Sequence, residues 1–418
     1  MDNKDSILIL GAGIYQVPLI KKAQEMGLRA VITSIPGNYP GFAAADKVYY
    51  ANTTDKEAVL DIARSERVAA VTTTGTDVAV SSIGYVCREL GLCGISEQAA
   101  RVLTDKALMK EAFVNGGVTT AEFRRVESYD EAVAAAEELG LPVMLKIVDK
   151  SGSRGITKIT DLSRMREAYD YALAATDADH MVVERFVDGR EVGIDALVQN
   201  GRLLLMLPHE KYVYHSGHTG IPIGHFCPME VSPRLHENML HETEKIIRAT
   251  GMDNCAINID AMILPNESVS IIEAAGRCGA TGIPEVISGY TGRDYYSCII
   301  DAALGRPIAP FDLTHGTPTA SQLLYTERSG ILREIRYRFA GREYVNENAV
   351  VPGAGKVEVS FAPGDDIDAF RNGTDRIGQA IFQAASNDEL QAAVKSFRES
   401  LRVEVCQGDS TGLSPPAI

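Results

Sequence analysis

Two carboxylates, Asp260 and Glu273, face one another if residues 255–277, CAINIDAMILPNESVSIIEAAGR, fold as a β-hairpin. Ile257, Ile259, Ala261 and Ile263 alternate along one strand, Val269, Ile271 and Glu273 along the next, and Pro265-Asn266-Glu267 supplies the turn. Side chains directly opposed in a ladder stand about 4.5–5.5 Å apart at Cβ, and like charges so placed repel. A hard cation relieves that repulsion. Mg²⁺ is typically held by one or two carboxylates together with substrate phosphates. The competing reading of the same residues is an acidic, solvated hairpin face.

A magnesium-phosphate site also needs cations for the phosphates and backbone that can approach them. Residues 142–159, PVMLKIVDKSGSRGITKI, offer both. Val143 to Val148 reads as a buried strand with one charge, Lys146, which is costly to bury without an anionic partner. Ser151-Gly152-Ser153-Arg154-Gly155 follows, a small, flexible loop whose N–H groups suit phosphate oxygens, although the same composition also makes an ordinary hairpin turn. The P-loop spacing is absent. Thr104-Asp105-Lys106 begins a helix running through Met109 and Phe113, and Lys106 is either a second phosphate ligand or a surface lysine. Further on, MVVERFVDGREVGIDALV places Glu184 on the strand face of Val182 and Phe186, where it can accept from a purine amino group; Glu191 can accept from ribose hydroxyls.

In this order, a lysine at a helix start, a lysine before a Gly/Ser loop, E-R-F-V, G-x-E and then D-x(12)-E-x-x-x-R, the chain resembles the ATP-grasp superfamily, from about Ile7 to Val405 and most strongly over residues 104–280. The resemblance implies ATP, with Mg²⁺ as cofactor and Mn²⁺ as a substitute. It implies that Lys106 and Lys146 bind phosphates under a loop containing Ser151, Gly152 and Ser153. Glu184 and the backbone at Phe186 and Val187 would bind adenine, and Glu191 the ribose. Asp260 and Glu273 would hold the metal, and Arg277, with Lys146, would serve catalysis at the acyl phosphate or the incoming carboxylate. One departure is visible. The commonest family pattern is E-x-N-x-R, whereas Glu273-Ala274-Ala275-Gly276-Arg277 lacks the asparagine ligand. The hairpin register puts Asn258 opposite Ala275, so Asn258 or a water is expected to fill the vacancy. The E-A-A-G-R-C-G form is closer to the L-amino acid ligase, or carboxylate–amine ligase, branch.

The elements that must position these groups are alternating. Ile7 to Leu10, Ala30 to Ile35, Val48 to Tyr50 and Val68 to Thr73 are predicted strands separated by helices, the pattern of a doubly wound parallel sheet. Gly11-Ala12-Gly13 lacks the third glycine of a dinucleotide fingerprint, having Gln16 there, and no acidic residue ends the second strand. It is read as a structural turn or a substrate contact. The fold class is therefore α/β and α+β: a Rossmann-like domain over residues 1–103, a two-part ATP-grasp domain over 104–305 with its lid at about 115–185, a small C-terminal α+β domain over 306–407, and a disordered tail over 408–418. Within the lid, Ser128 to Glu131 makes a capping box, Ala132, Val133, Ala136 and Leu139 form the apolar stripe, and Gly140 ends the helix. His209, His215, His218 and His225 lack the i, i+4 spacing of a helical metal site and read as a polar loop. Lys211 or His225 would there contact the acceptor substrate, and Gly279, beyond Arg277, is a further candidate substrate contact.

The 418 residues are 45% hydrophobic, enough for several cores, and carry a formal net charge of −15, which disfavours nucleic acid as a partner. Seven scattered cysteines without C-x-x-C indicate neither a disulfide framework nor a zinc site. No stretch of 18 apolar residues exists, so no membrane partner is expected and the cytoplasm is the expected compartment. The expected partners are small-molecule carboxylate and amine substrates, with a homodimer as the assembly considered. The expected activity is ADP-forming ligation of a carboxylate to an amine, with amino acids as substrates. ATP-dependent carboxylation or purine-pathway-type transfer, a non-catalytic ATP-binding regulator and a dehydrogenase on the N-terminal sheet are the alternatives.

Overall fold

The computed structural model describes residues 5–150, 155–216 and 219–406. Its first sheet is parallel, in the order Lys47–Tyr50, Arg29–Ser34, Ser6–Leu10, Ala70–Thr72. Ile7, Leu8, Ile9 and Leu10 are all fully buried, because helices cover both faces and an apolar run without alternation is what such a strand requires. Gly11 takes a positive φ of 103°, and the Gln16 side chain lies against both Gly11 and Gly13 while donating to the Thr74 carbonyl. The G-x-G turn is thus closed by the residue that replaces the third glycine.

A second, antiparallel sheet runs Phe123–Val126, Met181–Arg185, Val143–Ile147, Ile156–Ile159. The helix Tyr129–Leu139 packs on it, with the Ser128 hydroxyl accepting from the Glu131 N–H at 3.2 Å and Gly140 at its end with φ 77°. Ala132, Ala136 and Leu139 are buried and Val133 half-buried, as the helical stripe predicts. These residues form an apolar core of their own with Val143, Leu145 and Ile159.

The third sheet has nine strands and carries the carboxylate hairpin at one edge. Its order is Val269–Ala275, Cys255–Ile263, Arg190–Gln199, Arg202–Ser216, Thr219–Cys227, Thr319–Leu324, Gly378–Gln383, Gly355–Val359, Ala349–Val351. The sheet therefore continues past residue 306, since strands from the C-terminal stretch add to it. Pattern reading detects such strands but not their partners. A further small sheet pairs Gly330–Phe339 with Arg342–Val345 and Arg402–Cys406, beneath the helix Asn387–Ser400, which Ser386 caps.

The expected polar loop at residues 209–225 is overturned. The segment forms two long paired strands, and His209 and His225 are 1% and 3% exposed. Alternation is hidden there because the inward-facing residues are themselves polar and serve a buried network described below. Ser151, Gly152, Ser153, His218 and the 408–418 tail lie outside the described residues, as does the side chain of His215.

Candidate active site

The hairpin has the register its sequence predicts: Asp260 pairs with Glu273 and Asn258 with Ala275. On its other side the same strand pairs Asp260 with Gly193 and Asn258 with Asp195. The two-residue period of a strand therefore brings Asn258, Asp260 and Asp195 to one face. Gly193 is required here. A Cβ on it would lie 2.0 Å from the His209 ring.

Each carboxylate of the pair is met by a lysine. Lys106 Nζ stands 3.3 Å from Glu273 and donates to the Lys150 carbonyl at 3.1 Å. It is positioned by the helix Lys106–Asn115, whose N-cap Asp105 accepts from the N–H groups of Ala107 and Leu108. Lys211 Nζ stands 2.6 Å from Asp260 and 2.9 Å from Glu191, so the predicted substrate lysine is committed to two predicted ligand carboxylates. Lys106 holds the Glu273 carboxyl at about 2, outweighing burial. Burial pushes Asp260 above the usual carboxylate range despite Lys211, with Glu273 adding to the rise.

Glu184 is not a free acceptor carboxylate. It is 4% exposed and forms ion pairs with Lys146 and with Lys110, the latter at 2.9 Å. Burial alone would raise its carboxyl, but Lys110 and then Lys146 outweigh it and hold it at about 2. Two lysines around one glutamate leave one buried positive charge in excess, and burial correspondingly pulls Lys110 below its ordinary value. An anion entering this site would relieve that excess. Lys110 escapes notice in a motif search, yet it follows Lys106 by four residues and so shares its helix face. Lys110 Nζ meets Glu184 Oε2 and Lys146 meets Oε1, so a ligand amino group would share these oxygens with the lysines. The Phe186 N–H is already spent on the Pro142 carbonyl at 3.0 Å, which leaves the carbonyl of Phe186 for a base edge. Lys106, Lys146, Glu184, Phe186, Val187, Glu191, Asp260 and Glu273 all line one cleft of about 260 Å³, between the antiparallel four-stranded sheet and the hairpin.

Glu184→Gln is expected to destabilise the fold by about 3–5 kcal/mol at neutral pH, because it strands two buried lysines. The ordinary carboxylate value is 4.5, so Glu184's contribution is complete above that pH and is lost as pH falls toward about 2. Urea unfolding between those limits should show a flatter acid limb in the variant. An equally steep limb in both proteins would remove Glu184 from the account.

Arg277, His225 and Gly279 are not among the described lining residues of this cleft. They belong to a polar network behind it, centred on Asp195, which is fully buried. Asp195 accepts from Asn258 Nδ2 at 3.0 Å and from the Gly279 N–H at 3.1 Å, and its carboxylate meets His209 Nε2 at 3.0 Å. His209 Nδ1 in turn meets His225 Nδ1 at 3.2 Å. Burial holds His225 well below the usual imidazole range, so it is neutral. Arg277 Nε donates to Asp77 at 2.6 Å and Nη1 to Asn258 Oδ1 at 3.2 Å. Asn258 is thus bonded through both ends of its amide, which argues against its filling the missing metal-ligand position and leaves water for that role. Asp195 carries the same sequence signal as Lys146, one charge in an apolar strand; Asp77 carries none.

Asp260 and Glu273 fit a hard cation, since two adjacent carboxylates each require a positive partner and the lysines now provide one. No group of three or more His, Cys, Asp or Glu side chains is placed to hold a metal among the described residues. Among those residues, no helix is long and apolar enough to cross a membrane.

Comparison with known proteins identifies two domains along the chain. Residues 139–285 match the ATP-grasp domain, and residues 322–406 match the L-amino acid ligase C-terminal domain 2. The chain thus contains an ATP-grasp domain, followed by a domain that matches the C-terminal module of L-amino acid ligases. It is 25% identical over 288 residues to alanine–anticapsin ligase of Bacillus subtilis, a match spanning 62% of this chain and 60% of that protein's length. A crystal structure of phosphoribosylglycinamide synthetase from Anaerococcus prevotii superposes with a TM-score of 0.78 at 29% identity, covering 97% of this chain and all (100%) of that one. The L-amino acid ligase from Bacillus licheniformis also superposes with a TM-score of 0.78 and the same coverages of 97% and 100%, and at 16% identity it shows the shared fold.

Proposed function

We propose that this chain is an ADP-forming carboxylate–amine ligase acting on amino acids. The observation that carries the reading is the pairing of two charge arrangements in one cleft. The Lys110–Glu184–Lys146 cluster has one positive charge in excess, and the Asp260–Glu273 pair, each member met by a lysine, presents two adjacent carboxylates suited to a hard cation. A magnesium nucleotide brings the complement of both.

A carboxylate oxygen of the first substrate would attack the γ-phosphorus of ATP, releasing ADP and leaving an acyl phosphate. The second substrate's amine would then attack the acyl carbon, expel phosphate and lose a proton. Lys106 and Lys146, with the 151–155 segment, would hold the phosphates, Glu184, Phe186 and Val187 the adenine, and Glu191 the ribose. Asp260 and Glu273 would hold Mg²⁺ or Mn²⁺, which supplies charge neutralisation at the transferred phosphoryl group. Lys106 and Lys146 neutralise charge at the phosphates themselves, and Arg277 grips the acyl phosphate with a planar fork. The Asp195 network would set Gly279 and Asn258 around that fork. The alanine–anticapsin ligase similarity supports amino acids as substrates.

The test is a phosphate-release screen over pairs of amino acids and small carboxylates, with products identified by mass. Release that depends on both partners, with an amide product, is expected. Release that no added amine stimulates would overturn the ligase reading.

A further inference from the structure

The Arg376 guanidinium lies outside every interaction described so far. It is 8% exposed, its Nε has no hydrogen-bond partner, and it forms no ion pair among the described residues. Among the described residues its one hydrogen-bond partner is Gln379, which accepts from Nη1, and its guanidinium stacks over the Tyr15 ring at 4.8 Å. The neighbouring acid cannot serve as its counter-ion. Asp375 Oδ2 is consumed by the N–H groups of Arg371 and Asn372 at 2.9 and 3.0 Å, in the cap of its own short helix. A buried guanidinium without an anion is costly, and an arginine fork matches a carboxylate in two parallel bonds.

Arg376 lines two adjoining spaces. One is an open cavity of about 870 Å³ between the helix Val17–Glu25, the helix Ile283–Thr291 and the C-terminal strands. The other is a narrow gap that continues to Thr74 and to Gly279, the residue whose N–H is held by Asp195. A ligand held at Arg376 therefore lies in the cavity wall, and the gap of about 10 Å³, room for about one water molecule, is bordered by both Arg376 and Gly279.

We infer that Arg376 is the docking point for the carboxylate of the amine-bearing substrate, so that the substrate's amine faces Gly279. This rests on the ligase reading above. A carboxylate is favoured over a phosphate because, among the described residues, Arg376 is the one cation lining the narrow gap, and Glu285, which accepts from the Tyr296 hydroxyl at 3.0 Å, lines the same gap and opposes a dianion. Gln379 and Tyr15 orient the fork and do not neutralise it.

The test compares the common L-amino acids with their carboxamides as amine substrates, with hydroxylamine trapping run first on the wild-type enzyme. Hydroxamate formation with ATP and a carboxylate establishes the acyl phosphate independently of Arg376. Amino acids should then show KM values at least tenfold below those of their amides. Arg376→Met should raise KM for the acids until that ratio approaches one, with a smaller change in kcat. Arg376→Lys, which keeps the charge and guards against a folding failure, should recover part of the ratio. Hydroxamate formation combined with a wild-type ratio near one would overturn the Arg376 assignment and leave the ligase reading standing, as would a parallel rise in KM for acids and amides in both variants. Preference for phosphorylated amines over amino acids would also overturn it. Absence of hydroxamate with every carboxylate would instead overturn the ligase reading and this assignment with it.

Discussion

Replacing Glu273 with Gln is expected to lower turnover by about two orders of magnitude or more, the scale of removing one preorganised charge from a transition state. Nucleotide binding should weaken only modestly. The reason lies in how the cleft divides its work. Glu273 is ionised under all ordinary conditions because Lys106 stands 3.3 Å away, and a neutral amide can neither hold a cation with the same charge nor keep Lys106 in place. Glu184 and Phe186, assigned to the base, lie at the other wall, on the antiparallel four-stranded sheet and its exit. Titration of the variant with ATP and Mg²⁺, beside its steady-state rate, separates the two effects. Equal losses in binding and turnover would contradict the division.

The second large effect is expected at Arg277. Arg277→Lys preserves charge but not the fork, and should cost catalysis about two orders of magnitude while leaving ATP affinity intact. The guanidinium now uses Nε and Nη2 on Asp77 and Nη1 on Asn258 and on the Cys278 carbonyl, so all three of its nitrogens are engaged in a planar arrangement that an ammonium cannot reproduce. Reaching a bound acyl phosphate requires Arg277 to share or release Asp77. An Asp77→Asn variant should therefore change KM for the carboxylate before it changes ATP binding. Wild-type turnover in Arg277→Lys would make Arg277 a strut between the N-terminal sheet and the hairpin, with no part in the reaction.

Much of this site could be read from local pattern. The Asp260–Glu273 opposition needed only strand period and a turn, and the observed register agrees. Lys146 announced itself as one charge in an apolar strand, and the cap of the helix beginning at Lys106 is spelled out by Asp105. What escaped the sequence depends on residues far apart in the chain. Asp77 meets Arg277 across 200 positions, and no local period encodes that approach. The histidine segment misled for a different reason. Its strands are filled with polar residues because they enclose a hydrogen-bonded network, so hydrophobic alternation, the signal that identifies strands, is missing where the structure is most buried. The nine-stranded sheet likewise gathers strands from residues 190 to 383, and sequence order gives no hint that Thr319–Leu324 follows Thr219–Cys227 across it. Glu184 shows a subtler gap: its strand and face were legible, but its two lysine partners come from a helix and another strand.

In the proposed mechanism a carboxylate is activated by phosphoryl transfer before an amine attacks it. Supplying the carboxylate substrate labelled with ¹⁸O, together with ATP, Mg²⁺ and the amine, tests it directly through the mass of the released phosphate. One labelled oxygen should appear in phosphate for each amide bond formed, because the oxygen that attacked the γ-phosphorus leaves with it. Phosphate free of label at full turnover would mean that water, not the carboxylate, receives the phosphoryl group, and would contradict the account.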